Sequence, residues 1–362
     1  LFAKVLVSMS KRTRPDRAEI AEAVAEAQAL FAQAEQLCQR EDFAAAEPLL
    51  QRALSGFQAN LDHFDLRLAR TRYLLGVTFA RRGHDLGART CWNSVLFSCR
   101  VNGKPYELSI ETLTRVVELS LNRGELKRAA GTARSAIKFL HQQPELDRLR
   151  LAELLTMRAQ ALAAMQDFRE ARAELQRAVE ALEACLGPGH RRTLKTRVMW
   201  AALCENTGRP TEARQHFERV IEDCEAAHGE NDPDLVEPLE RLMELCAHEG
   251  LFTLAQNHGV RLVRLEERML GLHHPAVTSR LNQLAILTAK GGDDDGARRL
   301  FDHALTRLER ASALHHPTVD AVVSNLSGLL RRAGDEKSLR DLLERAVQLQ
   351  ERADRQPPFP TA

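Results

Sequence analysis

Between about His274 and His315 the chain shows its pattern most plainly. Leu281, Leu284, Ala285 and Thr288 stand at i, i+3, i+4 and i+7, the stripe of a helix and not the alternation of a strand. Pro275 opens this helix, because proline suits a first turn where its missing N–H costs nothing. Gly291-Gly292 closes it, since glycine accepts the left-handed conformation after a helix C-terminus. Asp293, Asp294 and Asp295 then place negative charge at the start of the next helix, where the helix dipole favours it. Ala297, Phe301, Ala304, Leu305 and Leu308 form the apolar stripe of that second helix. The segment reads as helix, turn, helix.

The same phrase returns along the whole chain. A Gly-x₄-Ala spacer has its first residue at Glu41 (degenerate), Gly83, Gly124, Gln166 (degenerate), Gly208, Gly250, Gly292 and Gly334, in steps of 42, 41, 42, 42, 42, 42 and 42. The second residue of the spacer is Ala46, Ala88, Ala129, Ala171, Ala213, Ala255, Ala297 and, out of pattern, Leu339. Eight units account for nearly all of the 362 residues. A period of this size predicts a solenoid in which each unit packs on its neighbours. Four residues beyond the alanine stand Leu50, Trp92, Ala133, Leu175, Phe217, Gly259, Phe301 and Leu343; three further on stand Ala53, Val95, Ala136, Ala178, Val220, Leu262, Ala304 and Ala346. Ala297 of a second helix and Ala285 of its first helix are expected to face each other, and small side chains at both let the axes approach to about 8–9 Å. The expected fold is all-α, a right-handed superhelical solenoid of about eight antiparallel helix pairs over residues 16–354. A flexible N-terminal arm (1–15) and a disordered, proline-rich tail (355–362) flank it. The last unit's second helix is expected to be polar outside, as a cap requires. The short step near Val101–Pro105 predicts a local change of pitch.

Composition narrows the function classes. A charged fraction of 28% with 44% hydrophobic residues suits a soluble protein, and 5% aromatics suits a helical array. The net charge of +1 supplies no global field for nucleic acid or anionic lipid, so neither is an expected partner. Seven cysteines without a CxxC read as thiols in a reducing cytoplasm. No apolar run approaches the length of a membrane span.

Gly-x₄-Ala-x₃-(Phe/Leu)-x₂-Ala resembles the tetratricopeptide repeat, and Leu75-Gly76 and Trp200-Ala201 match its first-helix pair in position. The period of 42, with His-Pro or Asp-Pro before first helices at Asp232-Pro233, His274-Pro275 and His316-Pro317, is similar to the subfamily found in kinesin light chains and in many bacterial proteins. Asp16 to Gln39 reads as a long first helix, where kinesin light chains carry a heptad coiled coil. The resemblance implies that first helices line a groove taking a protein segment. Its ligand-facing offsets, carried onto this chain, give as partner-binding candidates Arg70, Tyr73, Glu111, Glu118, Asn122, Glu153, Gln160, Lys195, Glu205, Asn206, Glu237, Glu240, Glu244, Asn282 and Lys290. Asn282 occupies the position at which that subfamily contacts a peptide main chain. Seven of these are Glu against one Lys in the middle four units, which favours a segment rich in Lys or Arg.

No catalytic, cofactor or metal motif was found. His273-His274 and His315-His316 sit at equivalent loops and read as helix-capping residues. Asp293-Asp294-Asp295-Gly296 lacks the alternate ligands and late Glu of a calcium loop. The Arg pairs at 81–82, 191–192, 298–299 and 331–332 read as solvated surface. The leading expectation is a non-enzymatic scaffold or adaptor that holds a protein segment in its groove. The alternatives are the sensor or interaction arm of a larger signalling protein, a kinase or nucleotide-binding regulator, and, from a different class, an enzyme with an unrecognised site. The chain opens on Leu1 rather than Met, so the residues upstream would separate the first two.

Overall fold

The computed structural model describes residues 16–102, 106–143, 145–310 and 316–354. The expected arm, the expected tail, most of the 101–105 turn and His315 lie outside the described residues. Among the described residues there are sixteen α-helices, one 3₁₀ turn at Pro233–Leu235 and no strand. In order they are α1 (Arg17–Gln39) and α2 (Phe43–Asn60), α3 (Leu66–Arg81) and α4 (Asp85–Asn102), α5 (Tyr106–Asn122) and α6 (Leu126–Leu140), and α7 (Arg148–Ala164) and α8 (Phe168–Leu186). Then come α9 (Arg191–Asn206) and α10 (Pro210–His228), α11 (Val236–His248) and α12 (Phe252–Leu270), α13 (Pro275–Lys290) and α14 (Asp294–Arg310), and α15 (Thr318–Ala333) and α16 (Glu336–Asp354). Odd-numbered helices are the first helices of eight repeats. Contacts divide the chain into two units, Leu1–Ala178 and Val179–Ala362, with the division inside α8. In the first unit α1, α3, α5 and α7 touch in succession, so first helices share one side; in the second, α13 touches α15.

Each hairpin turn is built the same way. All eight spacer positions have positive φ, including the degenerate Glu41 (φ 61) and Gln166 (φ 65). At every turn the following N–H reaches back five residues to a helix carbonyl, as in Asp42 N to Leu37 O and Asp293 N to Thr288 O, which satisfies an otherwise orphaned group. The glycine signal therefore marks a conformation that two non-glycine residues are also made to adopt. A second series of positive φ, Gly187, Gly229 and Gly271, follows second helices at the same 42-residue spacing.

The alanines behave as the spacing predicts. Ala46, Ala88, Ala129, Ala171, Ala213, Ala255 and Ala297 are fully buried, as are Leu50, Phe217 and, within 2%, Trp92 and Phe301. Gly76 shows how close the helices come: a Cβ there would lie 2.7 and 2.9 Å from Cδ1 and Cε2 of Trp92. First helices start on side-chain caps that repeat in register. Asp65, Asp147 and Asp232 accept backbone N–H groups through carboxylates, and His190, His274 and His316 accept them through ring Nδ1 at 3.2 Å.

Two expectations are corrected. Arg82, Arg191 and Arg298 are not simply solvated; each holds a carboxylate of the adjacent repeat, Glu47, Asp232 with Asp234, and Asp335 respectively. Arg89–Glu125 and Arg214–Glu249 are further links of this kind. The last second helix is only partly polar outside. Leu343 and Val347 are 43% and 60% exposed, because the helix that covers this position in earlier repeats has no counterpart among the described residues.

Candidate functional site

In the first unit the candidates gather on the side of the first helices. Val77, Ala80 and Arg81 of α3, Glu118, Leu121 and Asn122 of α5, and Met157 and Gln160 of α7 line a concavity of about 450 Å³, with Trp92 beneath it. The carried-over positions Glu118, Asn122 and Gln160 meet there. Tyr73 stands beside it: Arg115 Nε donates to its hydroxyl at 3.5 Å, and Trp92 Nε1 donates to its carbonyl at 3.2 Å. Burial pushes the Tyr73 phenol up to about 12, the bond from Arg115 opposing this and the nearby Glu111 adding to it. Burial pulls the Arg115 guanidinium down, but its bonds to Tyr73 and Glu118 outweigh that and its pKa is raised. Tyr73 is therefore a neutral hydroxyl and Arg115 a fixed cation. Arg70 is exposed on α3, and Glu153 on α7 pairs with Arg150 at 3.4 Å; neither lines the concavity.

In the second unit Lys195, Asn206 and Lys290 are exposed at their helices, and Glu237 is exposed on α11. Glu205 of α9 and Glu244 of α11 share Arg241, at 2.8 and 3.3 Å. Glu240 pairs with Arg280 of α13 at 2.5 Å, and Arg280 also holds Glu266 at 3.2 Å. Asn282 is 8% exposed, and its Oδ1 accepts from Asn325 Nδ2 at 3.0 Å. Through that oxygen it bridges two first helices.

Five of the seven glutamates, Glu118, Glu153, Glu205, Glu240 and Glu244, thus have an arginine partner within the chain. The reading of ligand-facing offsets missed Arg115, Arg241 and Arg280 because they fall between those offsets, and Arg150 because it precedes the first of them. A signal was present: Arg115, Arg150 and Arg241 each stand three residues before a glutamate, the spacing of neighbours on a helix surface. Among the described residues no group of three or more His, Cys, Asp or Glu could hold a metal ion, and no helix is long and apolar enough to cross a membrane. All seven cysteines are free thiols.

Tetratricopeptide-repeat family models match residues 150–226 and 277–318. The chain carries tetratricopeptide repeats. Among solved structures, it is similar to the C-terminal part of a tetratricopeptide repeat-containing protein from Cytophaga hutchinsonii, with TM-score 0.56, 11% identity, and coverage of 76% of this chain and 94% of that one. It is also similar to the apo form of RapI, with TM-score 0.50, 12% identity, and coverage of 80% and 99%. A putative kinesin light chain from Podosopora anserina with nearly identical repeats matches at TM-score 0.47 and 18% identity, over 59% of this chain and 100% of that one. At these identities the likeness is one of fold. No curated protein matches the chain. Tetratricopeptide repeats serve in general as protein-interaction scaffolds, and that class of function applies to this chain.

Proposed function

We propose that the chain is a non-enzymatic scaffold that holds a protein segment against its first helices. The concavity of the first unit carries this reading, because α5 and α7 bring Glu118, Asn122 and Gln160 to one place beside Val77, Ala80 and Arg81 of α3, over an apolar floor. Asn122 and Gln160 are exposed amides that can both donate to and accept from a peptide main chain, and Val77, Leu121 and Met157 provide apolar contact. Arg81 and Arg115 with Glu118 make this place mixed in charge. In the second unit Glu205 of α9 and Glu237, Glu240 and Glu244 of α11 outnumber Arg241 and Arg280, which leaves a local excess of negative charge and supports a segment carrying Lys or Arg there.

A photo-crosslinking residue placed at Gln160, and in a second variant at Ser135 on a second helix, tests the reading. Capture of one partner from Gln160 and not from Ser135, with binding of that partner's segment weakened by Asn122→Ala, is expected. Equal capture from both positions, or unchanged binding by the Asn122→Ala variant, would refute it. For the second unit, Glu237→Gln with Glu244→Gln is expected to lower both affinity and its salt dependence, since exposed pairs are screened over about 8 Å at physiological ionic strength. Unchanged salt dependence refutes the charge argument.

A further inference from the structure

The eight repeats allow the same groove to be compared at successive junctions. Between α14 and α16 lies a groove of about 150 Å³ on the side of the second helices. It is closed by side chains: Arg298 Nη1 binds Asp335 at 2.9 Å and its Nη2 binds Ser338 Oγ at 2.7 Å. Forty-two residues earlier the corresponding groove, between α12 and α14, has about 440 Å³. The enlargement follows from the residues. Gln256 stands where Arg298 stands, Gly296 where Ser338 stands, and Gly291 where Arg82 and Glu249 make their links at other junctions. A Cβ on Gly291 would lie 2.9 Å from Gln256 Nε2 and 3.2 Å from Phe252 Cβ, so glycine there lets Gln256 lie flat and leaves the groove open.

What the open groove lacks is a guanidinium on its capping aspartate. Asp335 uses Oδ1 to accept Ser338 N at 3.0 Å and Oδ2 to bind Arg298. Asp293, its equivalent, makes the same cap, accepting Gly296 N at 2.8 Å through Oδ1, but among the described residues it has no ion pair. The floor beside it is apolar, formed by Leu284, Leu300 and Val260. Val260 is 37% exposed. Arg299 and His303 also line the groove, and Asp294 and Asp295 continue the acidic start of α14, so its surroundings are net acidic.

We infer that this groove is a second docking site, on the face opposite the first helices, for a protein segment that inserts an aliphatic side chain over Leu284 and Leu300 and places an arginine on Asp293 where Arg298 sits on Asp335. The chain displays the required chemistry intramolecularly one repeat later. The inference does not depend on the scaffold reading of the first-helix face, because its variants lie on different helices.

The test uses the full chain, labelled at its Leu and Val methyl groups, and the peptide acetyl-Ala-Leu-Arg-Ala-Leu-Arg-amide, with a version carrying Glu for Arg as comparison. The arginine peptide is expected to shift the methyl signals of Val260, Leu284 and Leu300, and the glutamate peptide to leave them in place. Asp293→Asn, which keeps the cap, is expected to weaken binding at least about tenfold, an amount readily read from a titration. Gln256→Arg supplies the missing guanidinium in cis, so it is expected to abolish binding while leaving thermal stability unchanged or raised, which separates loss of the site from loss of the fold. The proposal is overturned if the arginine peptide shifts none of these methyls at about 1 mM, the weak end of specific recognition. It is equally overturned if the glutamate peptide binds as well, or if either variant binds like the parent.

Discussion

Gly76→Ala offers the sharpest test of how the first-helix face is held up. In a solvated helix this change stabilises by about 1 kcal/mol, because alanine is the better helix former. Here the new methyl would meet Nε1 of Trp92 and lie 2.7 and 2.9 Å from two more indole carbons, where ordinary contact begins near 3.4 Å. Trp92 is 1% exposed and cannot swing into solvent. Moving it strains a packed core, which costs about 1–3 kcal/mol. It also breaks the 3.2 Å bond to the Tyr73 carbonyl, and a buried donor left unsatisfied costs about 1–3 kcal/mol. With the propensity gain subtracted, a net loss of about 1–5 kcal/mol is expected. Gly131→Ala is the matched control, since nothing lies within 4 Å of its added Cβ; it should gain up to about 1 kcal/mol. Urea unfolding followed at 222 nm reads both, with hydrogen exchange on α3 and α4 to locate the loss, because an array need not unfold in one step. A Gly76→Ala protein as stable as the parent, or shifted in the same direction as the control, would refute the packing argument.

Gln166 holds φ at 65°. Gln166→Gly should therefore stabilise by about 0.5–1 kcal/mol, the relief of left-handed strain exceeding the entropy cost of glycine, and a loss on thermal denaturation would count against strain at that turn. His274→Ala should cost about 1 kcal/mol by removing the cap on α13, and His274→Asp should restore it; equal effects from both would show that the ring Nδ1 is not the acceptor. His258 has its pKa lowered, by burial first and then by Arg261, and its Nδ1 is buried without a partner. The unfolded chain takes up that proton more readily, so His258 contributes stability that is complete above its ordinary value of 6.5 and is lost as pH falls from there through the folded value. His258→Leu should flatten stability between about pH 7 and pH 5, and an unchanged slope would refute this. In α7 and α8, Arg158→Leu alone should cost up to about 3–5 kcal/mol by leaving the buried Glu174 with the half-exposed Arg177 as its cation, whereas Arg158→Leu with Glu174→Leu should cost less; additive losses in the double-mutant cycle would overturn that reading.

The fold was legible because its signals are local and repeated. Gly-x₄-Ala reports a left-handed turn and a close helix contact; the turn recurs eight times and the alanine seven. The strength of the register is shown by Glu41 and Gln166, which adopt the left-handed conformation without the residue that favours it. The site was less legible because ligand-facing offsets give exposure and not pairing. Glu240 is found by its offset, but its partner Arg280 lies on the next first helix, 40 residues away. Asn282 sits at the expected offset and is used between helices. The inter-repeat links of Arg82 and Arg298 escaped for the same reason: a surface arginine and a structural one have the same local sequence. The exposed Leu343 follows from what covers a position, which composition of the helix itself does not carry.

One pair of positions shows what the array tolerates and what it uses. Eight residues before and eight residues after each turn residue, the first and second helices of a repeat face each other. In repeat seven these are Leu284 and Leu300, in repeat six Leu242 and His258, in repeat five Trp200 and His216, and in repeat four Arg158 and Glu174. The indole and imidazole of repeat five stack with centroids 4.0 Å apart. Arg158 and Glu174 are 5% and 4% exposed and bind each other, Arg158 reaching Glu170 as well. An aliphatic pair, an aromatic stack and an ion pair thus fill one contact in one chain. Each is complementary within its repeat, and none would be so if a single member were exchanged with its counterpart elsewhere. Because a repeat packs mainly on its neighbours, such changes stay local. The backbone register can then remain constant while side chains close one outer groove with Arg298 and open the one before it with Gln256 and Gly291. In this array, specificity is written at the positions where the repeats differ, on a frame set by the positions where they agree.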